Sequence, residues 1–340
     1  MYFTYSGGVT LKKLNVAVVG ATGMVGRTII KMLEERSFPI NNLYLYASAK
    51  SKGATVQFNN LEYIVEELND ASFDRDIDIA LFSAGGDISK DYAPKAKEKG
   101  IVVIDNSSAW RMDKDVPLIV PEVNPQDIKW HNGIISNPNC STIQVVVPLK
   151  PLHDAFKIER IVYSTYQAVS GSGVGGIEDL ENGINGIANK KYPHPIAYNC
   201  IPHIDTFMDN GYTKEELKMI EETKKILNDP SLKITATTVR VPVKNCHSVS
   251  VNLQFERAFE MQEIYEVLYK SNGVVVEDNT DKNIYPMAIT VDGKDQVYVG
   301  RIRRDFSVEN GINLWVVADN VRKGAATNAV QIAELVAKNL

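Results

Sequence analysis

The chain is poor in cysteine: three in 340 residues, Cys140, Cys200 and Cys246. So odd and sparse a set excludes a disulfide-built fold and suits a reducing compartment, so a cytoplasmic protein is expected. No apolar run approaches the roughly 18 residues that span a bilayer, so no membrane partner is expected. Basic residues are not in excess: 37 Lys and Arg against 42 Asp and Glu give a formal net charge of -5. A surface that tracks nucleic acid needs a basic excess, so nucleic acid is not an expected partner. Internal repeats and low-complexity tracts are missing as well. The opening residues, MYFTYSGGVTLKK, lack the basic-then-apolar order of a secretory signal and are set aside from the fold argument.

What is present has the length of two domains, since one usually takes roughly 100–200 residues. Residues 14–20, LNVAVVG, form a continuous apolar run of the kind found in a strand buried on both faces. A helix is expected over 28–36, strands over 43–47, 77–83 and 101–105, and a helix over 89–99. Strand-helix alternation of this kind implies a parallel, doubly wound sheet. Near Asn137 the pattern changes. A helix is expected to start after Asn139 and run through Pro148. Strands follow over 160–168, 235–242, 248–256, 296–304 and 313–318, with helices over 214–227 and 261–269. These imply an α+β domain with a mixed or antiparallel sheet. Residues 171–195 read as a long loop region with some helix over 176–183, and 325–340 as an amphipathic helix that returns to the first domain. The expected division is 1–139 joined by the C-terminal segment 322–340, and 140–321.

Gly20, Gly23 and Gly26 stand at the first strand-to-helix junction. Small residues let the backbone approach a pyrophosphate, and the helix N-terminus offers free N–H groups and a positive dipole end. The same glycines would also suit an ordinary tight turn. The context of a buried strand, a helix and an early position points to a Rossmann-type dinucleotide site. An NAD site commonly has an acid at the end of the second strand, for the ribose 2′-hydroxyl. Here that end reads Tyr46-Ala-Ser48-Ala-Lys50-Ser51-Lys52, with no acid but hydroxyls and lysines that suit a 2′-phosphate, so NADP(H) is favoured over the alternative of an ordinary solvated loop.

The most specific segment is Ser136-Asn-Pro-Asn139-Cys140-Ser-Thr142. Pro138 and Asn139 end the preceding strand, and an apolar run follows, so Cys140 falls at a helix N-terminus. There the dipole and free N–H groups lower a thiol's pKa and can receive an oxyanion. Cys200 and Cys246 are expected to be small buried core residues. His247 is adjacent to Cys246, but neighbours on one strand point to opposite faces, so its partner should be a distant cysteine. The β-prone flanks of His247, and Arg240 seven residues upstream, favour it over His131, His153, His194 and His203, expected on the surface or in loops. No Cys/His spacing suggests a closed metal site.

Together, GATGMVG, DNSSAWRMD (105–113), SNPNCST (136–142), STYQAVSGSG (164–173), RVPVKNCHS (240–248), VGRIRRD (299–305) and WVVADNVRKGAATNAVQIAE (315–334) resemble the aspartate-β-semialdehyde dehydrogenase family, from about residue 14 onward. The resemblance implies a catalytic and dimerisation domain after the NADP-binding one, and a homodimer or homotetramer. It implies Cys140 as nucleophile with Asn139 beside it, Gln167 orienting the substrate and His247 as acid/base. Arg240 would take the substrate carboxylate, Glu215 its amino group, and Arg111 and Lys218 the phosphate. A zwitterion needs one cation and one anion, and Arg offers a fork to carboxylate or phosphate. Spacing alone makes Glu215 and Lys218 equally a solvated i,i+3 pair. NADP would meet Gly20, Thr22, Gly23, Met24, Val25, Gly26, Ser48, Lys50, Ser51, Ser83, Ser170, Gly171 and Asn320. A close alternative is N-acetyl-γ-glutamyl-phosphate reductase, whose cysteine is usually followed by an aromatic residue where Ser141 and Thr142 stand here. Glyceraldehyde-3-phosphate dehydrogenase shares the logic, but its cysteine is followed by a Thr-Thr pair. A silent NADP-binding sensor would have lost its thiol or base, and this chain keeps Cys140 and His247.

Overall fold

The computed structural model describes residues 2–4 and 10–339, with side chains from 12 to 339. Two compact units emerge: residues 1–138 with 325–340, and 139–324. Of the segment set aside above, β1 (Tyr2–Thr4) pairs antiparallel with β2 (Thr10–Lys12), while residues 1 and 5–9 lie outside the described residues.

In the first unit, β3 (Leu14–Val19) leads into α1 (Met24–Glu35) and β4 (Ile40–Ala47). A hairpin of β5 (Thr55–Phe58) and β6 (Leu61–Ile64) and the short β7 (Glu66–Glu67) follow. Then come β8 (Ile79–Phe82), α2 (Gly86–Glu98), β9 (Val102–Asp105) and β10 (Ile134–Ser136). The sheet runs β10-β9-β8-β3-β4-β7 with every pair parallel, as the strand-helix alternation requires. Alternate residues of β3 serve opposite faces: Val16 and Val18 join a core with Ile29 and Leu33 of α1, Ala17 and Val19 one with Ala93 and Ala96 of α2. α1 begins at Met24 rather than Thr28, because the glycine turn itself supplies the N-cap, Gly23.

The second unit starts with α3 (Cys140–Phe156), which runs past the expected end at Pro148. Pro148 and Pro151 lie inside it, each withholding one N–H from the carbonyl four residues back. Next are β11 (Ile158–Gln167), α4 (Val174–Ile184), α5 (Lys214–Leu227), β12 (Lys233–Arg240) and β13 (His247–Phe255). The unit closes with α6 (Met261–Tyr269), β14 (Val274–Val276), α7 (Ala288–Val291), β15 (Val297–Asp305) and β16 (Gly311–Ala318). Its sheet is mixed: in the order β12-β11-β13-β16-β15-β14 the outer pairs are parallel and the inner ones antiparallel. After a π-turn over Arg322–Ala326, α8 (Thr327–Ala337) completes the first unit, where Arg36 holds Glu334 through two bonds of 2.8 Å. No described helix is long and apolar enough to cross a membrane.

Two expectations fail. Cys200 is exposed rather than buried, because in the irregular segment ahead of α5 it is the neighbouring Ile201, bridged to Arg240, that turns into the core. His153 is neither a surface nor a loop residue: it sits on α3, its side chain mostly covered, 3.6 Å from Asp229. Cys246 is buried as expected, just ahead of β13 with φ 69°.

Candidate active site

The glycine turn is shaped by close approach. The N–H groups of Gly20 and Ala21 both donate to Tyr46 O, tying the turn to the end of β4. A Cβ on Gly26 would stand 2.1 Å from Gly20 O, so only glycine lets α1 approach β3 this closely. The first turn of α1 has no side-chain cap and no acid, which leaves its positive end for an anion. Thr22 and Ser51 join through their hydroxyls at 3.2 Å, Ser83 Oγ donates to Val19 O, and Met24 and Val25 open α1. Ser48 caps a single 3-10 turn that carries Lys50, and Lys52 pairs with Glu67 at 3.4 Å. No acid ends β4, and this donor set fits a pyrophosphate and a 2′-phosphate. Arg111, buried in this unit, gives Nε to Asn137 O and Nη2 to Asn106 O.

In the second unit, Asn139 caps α3 with its side-chain oxygen, which accepts from Ser141 N and Thr142 N. Cys140 is therefore the first residue of the helix, half-buried. The other end of the Asn139 amide donates to Glu215 Oε1 at 2.9 Å, and Gln167 Nε2 donates to the same oxygen at 3.3 Å. Glu215 is 5% exposed, so it is no solvated surface residue. Lys218 Nζ holds Asp205 at 2.6 Å and Glu215 at 3.3 Å.

Arg240 and His247 lie at facing strand ends, with β11 between them. Both are buried, and each keeps one nitrogen without a hydrogen-bond partner: Arg240 Nε and His247 Nε2. Burial pushes the His247 pKa well down, and the Arg240 charge adds to this. The Tyr192 ring flanks the Arg240 guanidinium at 6.0 Å. Gly171 passes against both Arg240 and His247, while Ser170 and Asn320 bond to each other through Ser170 Oγ and the Asn320 amide.

Three neighbours escaped the sequence reading. Glu222 Oε2 accepts from Asn139 N at 2.6 Å; Gln144 Nε2 donates to His247 O at 3.2 Å; and Tyr192 is placed by Asp179, which accepts from the N–H groups of Lys190, Lys191 and Tyr192. One signal was available: Glu215, Lys218 and Glu222 are spaced i, i+3, i+7 and share a helix face.

Known proteins resemble this chain over most of its length. Residues 15–131 match the model of the semialdehyde dehydrogenase NAD binding domain, and 149–323 that of the semialdehyde dehydrogenase dimerisation domain. An aspartate-semialdehyde dehydrogenase of Aquifex aeolicus is 56% identical over 332 residues, covering 95% of this chain and 98% of that protein. The chain belongs to the aspartate-semialdehyde dehydrogenase family. A second family member, from Legionella pneumophila, is 51% identical over 333 residues, covering 95% of this chain and 96% of that one. Among solved structures, aspartate semialdehyde dehydrogenase II from Vibrio cholerae complexed with ASA superposes with a TM-score of 0.92 at 48% identity, covering 96% of this chain and 99% of that one. The Candida albicans enzyme with NADP gives 0.78 at 27% identity, covering 96% and 99%.

Proposed function

We propose that this chain reduces β-aspartyl phosphate to L-aspartate-β-semialdehyde and phosphate with NADPH, reversibly, through a thioester on Cys140, on the route to lysine, threonine and methionine. The observation that carries this reading is a pair of buried nitrogens without a partner, Arg240 Nε and His247 Nε2, in the unit that holds a thiol on a helix N-terminus. A buried donor without a partner is costly and is kept where a ligand completes it.

The Cys140 thiolate attacks the acyl carbon, and the bond from that carbon to the phosphate oxygen breaks. A covalent intermediate divides a difficult acyl reduction into two easier steps. When bound, NADPH supplies a hydride. Hydride addition to the thioester carbon, then cleavage of the carbon–sulfur bond, yields the aldehyde and restores the thiolate. Arg240 holds the substrate carboxylate, Glu215 its ammonium group, and Gln167 orients it. Arg111 and Lys218 bind phosphate, and His247 serves the oxygen on the reacting carbon. The glycine turn of residues 20–26 with Ser48, Lys50 and Ser51, together with Ser83, Ser170, Gly171 and Asn320, binds NADP. Residues 1–139 with 322–340 form the cofactor domain and 140–321 the catalytic one, in a cytoplasmic homodimer or homotetramer. An open groove of about 700 Å³ on the second sheet, lined by Tyr166, Val243, Met287 and Trp315, supports assembly through that face. Light scattering that finds only monomers overturns the assembly.

The test follows reduced nicotinamide by absorbance with L-aspartate-β-semialdehyde, NADP and phosphate. Phosphate-dependent NADPH formation is expected from the wild type and not from Cys140→Ala. Activity only with N-acetyl-glutamate semialdehyde would move the chain to the neighbouring reductase, and silence with both would leave a sensor.

A further inference from the structure

Two backbone carbonyls hold one edge of the Arg111 guanidinium. Nε donates to Asn137 O at 3.0 Å and Nη2 to Asn106 O at 2.8 Å. A guanidinium is a rigid planar fork, so the places of these two oxygens set the direction in which the whole group points. The oxygens come from different loops, 31 residues apart in sequence. Asn106 follows β9 and Asn137 follows β10. The fork has a fixed aim only if those loops are held in step.

A line of asparagine side chains ties them together. Asn137 Nδ2 donates to Asn106 Oδ1 at 2.9 Å, and Asn106 Nδ2 donates at 2.9 Å to Phe82 O, at the end of β8. On the other side, Asn137 Oδ1 accepts from Asn328 Nδ2 at 2.7 Å, and the same Nδ2 donates to Ile119 O at 3.0 Å. Asn328 stands in the first turn of α8. Each amide turns its N–H groups to an oxygen, which fixes the way round that it sits. Backbone bonds run beside the line, from Asn106 N to Phe82 O at 3.0 Å and from Asn137 N to Asp105 O at 2.8 Å. Strand ends closed by such bonds need no buried side-chain amides, which cost free energy unless they are paired. Asn137 and Asn328 are nevertheless buried there. Asn137 is the centre of the line: its carbonyl holds Arg111, and its side chain joins Asn106 to Asn328.

We propose that Asn137 is a positioning residue for phosphate, whose side chain holds in register the two carbonyls that aim Arg111. The inference rests on the phosphate role given to Arg111 above and deepens it. Asn137 acts without touching the substrate. When its amide is lost, the charge of Arg111 stays and still attracts an anion, but the directed hydrogen bonds of the fork are weakened.

Kinetics and NMR together test this. Asn137→Ala should raise KM for phosphate about tenfold, near the low end for a lost hydrogen bond to a charged group. KM for the semialdehyde and for NADP should stay within error. Asn106→Ala, at a half-buried position, removes the same bond from its other end and should shift the phosphate KM in the same direction, even if the buried variant does not fold. In an Arg111→Ala background, Asn137→Ala should add no further loss, since a residue that acts through Arg111 has nothing left to act on. Full additivity, or equal rises in KM for phosphate and semialdehyde, overturns the proposal. Nitrogen-15 NMR of the arginine-labelled full-length protein, without substrate, reads the clamp itself, with Arg111→Lys assigning the signal. The Arg111 Nε–H should exchange with water slowly in the wild type and fast in Asn137→Ala. Equal exchange in the two overturns the proposal whatever the substrate is. A loosened Arg111 with the phosphate KM unchanged in both Arg111→Ala and Asn137→Ala overturns the phosphate role instead, so the two failures are told apart.

Discussion

The Asn139 side chain has one end on Glu215, Nδ2 to Oε1 at 2.9 Å, and the other on the first N–H groups of the helix that carries Cys140. The amide orientation is thereby set, with its donor toward the carboxylate and its acceptor toward the helix. Asp and Asn are comparable helix caps in general. Here they should differ, because Glu222 also approaches Asn139, through its backbone N–H at 2.6 Å. Asn139→Ala should lower stability by about 1 kcal/mol, the usual worth of a cap. Asn139→Asp should be worse than Ala at pH 7, since it adds a third carboxylate to the site. Urea midpoints in the two variants check the order, and a more stable Asp variant would show that the carboxylates do not oppose it.

Arg240 offers one nitrogen to Ala168 and keeps Nε open inside the protein. Lysine has the charge but no fork. Arg240→Lys should therefore raise KM for the semialdehyde by about 10–100-fold, the loss of one charged hydrogen bond. NADP affinity should stay within error in a titration of the same variant. An unchanged KM removes Arg240 from substrate binding.

Lys50 and Lys52 follow a second strand that lacks a terminal acid. Replacing both with Ala should erode the preference for NADP over NAD, read as the ratio of kcat/KM for the two cofactors. Lys50→Ala should account for most of the change, because Lys52 already pairs with Glu67. If the ratio holds, another group reads the 2′-phosphate.

Asp229 has its pKa lowered to about 2, chiefly by hydrogen bonds from Lys157 and Ser231. A depressed carboxylate pKa means that the folded state favours the charged form. Its contribution is complete above the unfolded pKa, near 4, and is lost as pH falls toward 2. Asp229→Asn should therefore lower the urea midpoint at pH 7, with the gap from wild type closing toward pH 2. A constant gap down to that pH would mean that the ionised form is not what stabilises the fold.

Local pattern carried much of this protein. Helix α5 spans the residues 214–227 expected from sequence, because its start is marked by a capping box, Thr213 with Glu216, that needs only neighbouring residues. The parallel first sheet follows from strand-helix alternation, and the helix start at Cys140 from the Asn-Pro-Asn before it. Where local signals were weak, the reading stopped: β10 and β14, three residues each, exist only because a neighbouring strand pairs with them.

The sequence by itself determined which residues could do chemistry, since thiol, imidazole, guanidinium and carboxylate are properties of side chains. Tertiary structure alone decided their states. The exposure of Cys200, the burial of Glu215 and the bond from the Ala168 N–H to His247 Nδ1 depend on segments far apart in the chain. A side chain's solvation and the donor that faces it are set by what packs there, and no stretch of neighbouring residues encodes that contact.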